Sequence, residues 1–484
     1  MFRSIKQFLF SNTSTRQTVA KNTFWLAFGE ITSRLLRMAV VVFAARLLGA
    51  SGWGVFSYAL TIEGLFAIVA GMGLGPFLTR EVSQNPAQQK EYFSTSFFLQ
   101  VGLVVISSLL ILFGAPYVIS VPETIPLLSL VVVVLAFDVL RDFLMALARA
   151  FEKMELEAMI KLVTNVCITG LGIFFLFLSA SPSLLLWAYG IGTGVGLLLS
   201  LFVLRSHIAS LFSSFRSSLL WTIFIQAWPF ALIGFLGALM INIDVLMLGW
   251  WRSPEEIGYY AAIQRIIQVL YILPSFLVAA LFPTFARLAK SLDNSFVSVA
   301  QKALRIIYLF GVPLVVGGII LSHNIILTLF GQEYAPAIIP FQLLLFSILI
   351  MYSSHIVSNA IFAHNKQKYF VILLLLGVVG DIIANIFLIP PYGIVGSAIA
   401  TLIAQALAYG FGWFVLKKLR AITFLSLLKK IIPSALGMGV VVYGMNAVGF
   451  PLLVTIGGGI VAYLIFLLFL QEPSLKELHS ILSQ

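Results

Sequence analysis

NTFWLAFGEITSRLLRMAVVVFAARLL, residues 22–48, is the stretch on which the architecture turns. It is long enough to cross a bilayer, which takes about 20 apolar residues, yet it carries Glu30, Arg34 and Arg37. At about 100° per residue those three side chains fall within an arc of roughly 60° on one helical face. Starting the span at Met38 would leave the charges in water, but only about ten apolar residues then remain before Gly49, too few to span. The charges therefore belong inside the membrane, where each costs roughly 2.5–3.5 kcal/mol unless paired or hydrated. Glu30 and Arg34, at i and i+4, can pair; Arg37 has no partner in its own helix. The face is read as the lining of a wet central cavity that meets an anion.

The rest of the composition agrees with a membrane protein. Of 484 residues, 61% are hydrophobic and 10% are charged, and the mean hydropathy is +1.07. A soluble domain carries about 25% charge, so this is an all-α, polytopic membrane chain. The net charge of +11 comes from short basic loops, a mark of topology rather than of nucleic-acid binding. One cysteine, Cys167, excludes an internal disulfide. Residues 1–21 are basic and mildly amphipathic with no cleavage site after an apolar core, and read as a cytoplasmic surface segment.

Apolar runs of helical length number about fourteen. Spans one to six cover 22–48, 53–78, 92–114, 124–147, 158–178 and 183–205. Spans seven to twelve cover 219–249, 257–282, 302–322, 335–363, 368–389 and 392–416, with two more at 430–448 and 450–471. Alternate loops check the phase. One set carries the cations, among them Lys21, Arg80, Lys90, Arg149, Lys153, Arg205, Arg216, Arg287, Lys290, Lys302, Lys366, Lys417, Arg420 and Lys430. The other set, such as 179–183, 390–393 and 447–451, is nearly free of them, with Arg252 its clearest cation. The positive-inside rule makes the first set cytoplasmic and puts both termini, including the 472–484 tail, inside.

GASGWGVFSYA at 49–59, after span one, is echoed by SPEEIGYYAA at 253–262, after span seven. AFEK at 150–153 is echoed by AHNK at 363–366. Six spans per repeat is an even number, so the halves (22–205 and 219–416) share one orientation and a pseudo-twofold axis along the membrane normal. Two such lobes around a midplane site make a transporter plan, with the two spans at 430–471 outside the repeat. Within the motifs, Ser253-Pro-Glu-Glu reads as a helix start, with Ser253 as N-cap, Pro254 at the first helical position and Glu256 at the third for a capping box. Gly49, Gly52 and Gly54 read as the residues of a tight turn.

On these motifs, an Arg-Leu-Leu-Gly-x-x-Gly-x-Gly-x-Phe pattern from Arg46 to Phe56 and its variant after span seven, the chain resembles a known family. With the six-plus-six-plus-two plan, it looks like the polysaccharide-transporter branch of the multidrug/oligosaccharidyl-lipid/polysaccharide flippase superfamily. The resemblance implies flipping of a polyprenyl-diphosphate-linked oligosaccharide from the cytoplasmic to the outer leaflet of the cell membrane. It also implies rocking of two lobes and a groove at the last two spans for the lipid tail.

The membrane-embedded polar residues fit such a cargo. Arg presents a planar, permanently charged fork to phosphate oxygens, and Arg34, Arg37, Arg141 and Arg265 are the candidate headgroup residues. A secondary transporter also needs a group whose charge responds to Na+ or H+; Asp244, Asp381, Glu63 and Asp138 are the candidates. Glu30, Asp142, Asn242 and Gln268 are supporting polar groups. Each has a plainer reading. Glu30–Arg34 and Asp138–Arg141–Asp142 can be closed networks holding spans one and four together. Arg37 can pair with Glu63 or Asp142, and Arg265 with Asp244. Asp244 and Asp381 can be acceptors in helix packing. Lys161 reads as snorkelling to the cytoplasmic side, His355 as structural, and Arg46 and Arg80 as interfacial anchors.

No P-loop, zinc-protease signature or Cys/His metal spacing occurs, so neither an enzyme nor a cofactor is expected. The expected partners are the lipid-linked glycan, the bilayer and a coupling cation; no nucleic acid is expected, and the protein is read as a monomer. A peptidoglycan-precursor flippase and a cation-coupled drug exporter of the same superfamily are the rival functions. A membrane glycosyltransferase would need a large outer loop bearing catalytic groups, and the outer loops here are short.

Overall fold

The computed structural model describes residues 15–207, 212, 214–272, 274, 281, 284–289, 295–419 and 428–472. Met1 to Ser14, the basic positions Lys290 and Arg420, most of span eight's far half and the tail from residue 473 lie outside the described residues.

All regular structure among the described residues is helical. The α-helices are α1 (Thr15–Gly71), α2 (Leu74–Gln84), α3 (Gln89–Leu109), α4 (Leu128–Ala150), α5 (Met154–Leu178), α6 (Pro182–Val203) and α7 (Leu220–Trp251). They continue as α8 (Pro254–Leu270), α9 (Ser295–Phe330), α10 (Ile338–Ala363), α11 (Gln367–Leu419), α12 (Ile431–Val448) and α13 (Leu452–Phe469). At about 1.5 Å per residue, α1 and α11 are far longer than a bilayer is thick. Each is two spans joined at a glycine elbow, Gly49 with φ 68° and ψ 178° in α1 and Gly393 with φ 55° and ψ −133° in α11. Among the described residues, ten helical stretches have the length and hydropathy of membrane spans, two of them the doubled stretches Gln17–Gln84 and Gln367–Lys418. The arrangement is compatible with the fourteen spans expected.

The chain divides into two compact units, Met1–Gly258 and Tyr259–Gln484. In the first, α5 is sandwiched between the first arm of α1 and α6. Gly29 admits the Ala158 backbone, 3.1 Å from where a Cβ would sit, and Thr169 Oγ1 donates to the Leu36 carbonyl at 3.2 Å. The α2 helix breaks from α1 at Met72 and Gly73, both at positive φ, and turns its apolar face onto α4 and α7. Leu74, Phe77 and Leu78 there join Phe93, Phe143, Leu147, Ile223 and Ala227 in one buried cluster. The α7 helix, expected to open the second lobe, runs along α1's second arm. Gly234 lies beside Ile68, and Gly249 beside the Tyr58 ring.

In the second unit, Tyr463 Oη donates to the Leu309 carbonyl at 2.9 Å, tying α13 to α9. Asn324 bonds Asn446 at 2.7 Å, tying α9 to α12.

The internal repeat extends to backbone detail. After α4, Glu152 takes φ 56°, and after α10, Asn365 takes the same value. In both turns the following lysine N–H closes back onto the helix, Lys153 to Ala148 O and Lys366 to Ile361 O, each at 3.0 Å. This is a Schellman ending, repeated. A second pair is a 3-10 turn ahead of each helix, Pro122–Leu127 before α4 and Gln332–Ala337 before α10.

Two expectations change and a third gains detail. Residues 15–21 are no separate surface segment; they continue span one's helix, and Lys21 is buried with its Nζ 3.0 Å from Glu155. The turn after span one needs only Gly49, since Gly52 and Gly54 are helical. Arg80, read as an interfacial anchor, has its guanidinium against Glu81 at 2.8 Å, Gln226 at 3.1 Å and the Phe77 and Phe230 rings.

Candidate functional site

The face of α1 read from sequence exists, and its three charges meet different fates. Arg34 Nε bonds Glu30 Oε1 at 2.8 Å, one turn apart, with both side chains about one-third exposed. Arg37 is exposed. It makes no hydrogen bond or ion pair among the described residues, and Glu30 and Asp138 are its electrostatic neighbours. Taking the Gly49 elbow as one membrane face, Arg37 lies about 18 Å below it, near the centre of a bilayer of about 30 Å.

Three helices supply the remaining groups. From α5, Lys161 Nζ lies 3.1 Å from Glu157, one turn nearer the helix start, and 3.9 Å from Glu30. Glu157, almost fully buried, also takes Arg149 from α4 at 2.8 Å. A chain of ion pairs thus runs Arg34–Glu30–Lys161–Glu157–Arg149, with three cations against two acids. On α4, Arg141 is buried and closed between Asp138 and Asp142, each at 2.8 Å. Its stem packs against Gly196 of α6. Glu63, on α1's second arm, lies within electrostatic reach of Asp138, Arg141 and Asp142, and its Oε1 is buried without a hydrogen-bond partner.

Of the four headgroup candidates, then, Arg37 is uncommitted, Arg34 is paired but half-open, and Arg141 is held by two acids, as its plainer reading had it. Arg265, in the second unit, donates from Nη1 to Gln268 Oε1 at 3.2 Å. Asn242 turns its amide onto the Ala238 carbonyl of its own helix at 3.0 Å. Asp244 is fully buried in α7. Asp381 is fully buried in α11, accepting from Asn385 Nδ2 at 3.0 Å. The second unit also holds Tyr260 bonded to Thr401 at 3.0 Å and Gln405 bonded to Tyr271 at 3.2 Å. His355 meets the Tyr271 backbone, a structural bond.

Sequence reasoning overlooked Glu157 and Arg149 as members of the ion chain. The i, i+4 spacing of Glu157 and Lys161 was the available signal. Arg149 gave none, since it had been assigned to a loop and only the tertiary fold brings it back onto α5.

The profile of the polysaccharide biosynthesis protein family matches residues 19–289. Over 396 residues the chain is 22% identical to a Shigella flexneri protein assigned as an O-antigen transporter, covering 79% of this chain and 94% of that one. Over 399 residues it is 24% identical to a Haloferax volcanii protein assigned as a low-salt glycan biosynthesis flippase, covering 80% and 81%. Among solved structures, a lipid II flippase in an inward-closed conformation superimposes with a TM-score of 0.73 at 19% identity, covering 92% of this chain and 99% of that one. The chain has that flippase fold and belongs to the polysaccharide biosynthesis protein family.

Proposed function

We propose that this protein flips a lipid-linked oligosaccharide, carried on a polyprenyl diphosphate, across the cytoplasmic membrane by alternating access. The observation that carries the reading is Arg37, an exposed guanidinium near mid-bilayer depth with no acid partner among the described residues. A cation left so is costly in a membrane protein unless something anionic visits it. Arg34 and Lys161, each about one-third exposed, stand beside Glu30 and can turn part of their donor capacity to a diphosphate. Arg265 is the contribution proposed for the second lobe. Arg141 acts indirectly, as the fixed cation that holds Asp138 and Asp142 in place.

The lobes are proposed as 22–205 and 219–416, with 430–471 outside the repeat and both termini cytoplasmic. Flipping requires no covalent step, so energy enters through a cation gradient or substrate supply. Asp244 and Asp381 are the buried carboxylates proposed to respond to Na+ or H+, and Glu63 with Asp138 is the corresponding pair in the first lobe. The family assignment and the relatives' glycan roles support the cargo class.

Replacing Arg37 with Ala removes charge-assisted hydrogen bonds worth about 1.5–3 kcal/mol. Glycan export should fall roughly 10- to 150-fold, lipid-linked intermediates should accumulate by mass spectrometry, and membrane insertion should be unchanged. Arg37→Lys should recover part of the loss. Normal export in both Arg37→Ala and Arg265→Ala would defeat the proposal. Complementation of a strain lacking its peptidoglycan-precursor flippase, without effect on glycan export, would move the cargo to that lipid.

A further inference from the structure

The two repeat-related motifs, after span one and after span seven, meet each other in the first unit. A Cβ built on Gly54 would sit 1.8 Å from the Pro254 carbonyl oxygen and 2.9 Å from Gly258 N. A Cβ built on Gly258 would sit 1.9 Å from the Ala50 carbonyl oxygen and 3.2 Å from Ala50 Cα. Residues 50, 51 and 54 correspond to 254, 255 and 258 at one constant offset along the chain. Each glycine therefore presses on the carbonyl four residues before the other, as in an isologous twofold contact. The Ser51 and Glu255 side chains, also equivalent positions, are hydrogen-bonded to one another across it.

Neither glycine needs its conformational freedom here: both are helical, and neither has a positive φ. A helix interior disfavours glycine, so what these positions require is the absence of a side chain. Backbone rests on backbone, by Cα–H···O contacts and packing, and the side-chain bond that crosses it, Ser51 to Glu255, is a hydrogen bond rather than an ion pair. Such a surface can part without stranding a buried charge and can reclose in one register.

We propose that this glycine-on-carbonyl contact is a releasable clasp, closed in the state seen here and opened once per transport cycle. The transport cycle itself is taken from the function proposed above. The pseudo-twofold placement means that parting the two helix starts breaks both halves of the contact at once, a two-state arrangement rather than a graded one.

The test uses the full-length chain with Cys167→Ser, which removes its single cysteine. Ser51→Cys with Glu255→Cys places two thiols where the side chains already touch. Mild oxidation should cross-link them, stop export, and release it again on reduction. Adding Gly54→Ala or Gly258→Ala should lower cross-link yield about tenfold, the ratio corresponding to about 1.4 kcal/mol. Gly64→Ala, whose Cβ would meet nothing within 4 Å, should leave the yield unchanged. Export at the normal rate through the cross-linked protein would overturn the clasp, as would native yields in both alanine variants. If the alanine variants fail to reach the membrane, the reversible block in the native-glycine background decides alone. Cross-link yield is read on the protein itself, so loss of the cargo assignment would leave it intact.

Discussion

At the scale of single residues, charge alone does not say which guanidinium is functional; its partners do. Arg141 is the buried partner of two acids that are themselves partly exposed, so Arg141→Ala loses its charge-assisted hydrogen bonds and should destabilise the protein by about 1.5–3 kcal/mol. Arg37→Ala should cost stability no more than about 0.5 kcal/mol, as for an exposed side chain, while export falls. Thermal unfolding of the two variants in detergent separates structural from functional arginine, and equal destabilisation would erase the distinction. Glu255, outside the membrane-spanning segments, is held below the ordinary glutamate range by the Ser253 hydroxyl, its own backbone N–H and the Ser51 hydroxyl. The sequence reading had Ser253 and the glutamate at the third helical position, Glu256, forming the capping box. Glu256 faces Arg252 at 3.7 Å instead. A carboxyl with a lowered folded pKa stabilises above its ordinary range, and that stabilisation is lost as pH falls through the folded value. Amide exchange at the start of α8 should therefore accelerate on acidification, and Glu255→Gln should remove that dependence.

Among helices, glycines do different work that spacing cannot distinguish. Gly49 holds φ 68° and ψ 178°, a region essentially confined to glycine and costing a side-chain-bearing residue about 1–3 kcal/mol. Gly49→Ala should lower stability by that amount, read as a drop in melting temperature. Gly196 is constrained by space alone: a Cβ there would lie 2.2 Å from Thr164 Oγ1 and 3.0 Å from the Arg141 stem. Gly196→Ala should cost about 1–3 kcal/mol by overpacking. The loss should shrink when Thr164→Ala is added, because the two share the same overlap. Gly196 was not singled out beforehand, because a glycine in an apolar span shows no partner until α4, α5 and α6 are packed. The helix endings at Glu152 and Asn365 were legible as a four-residue echo. Their identical Schellman geometry required coordinates.

For the molecule as a whole, the repeat sets orientation. An even number of spans between equivalent positions is expected to put residues 152 and 365 on one side of the membrane, and 181 and 391 on the other. Reporter fusions active only outside the cytoplasm should work at 181 and 391 and fail at 152 and 365; any other pattern would break the topology. Fold class, a span count compatible with the helices seen, and the charged face of α1 were legible in the sequence alone. Each rests on hydropathy and periodicity, which are local properties that the bilayer enforces on every segment separately. Which cations are spent on acids, which glycines are pressed by carbonyls and where α7 packs were decided only by the tertiary structure. Pairing and close approach depend on side chains far apart in sequence, and no local pattern records the distance between them.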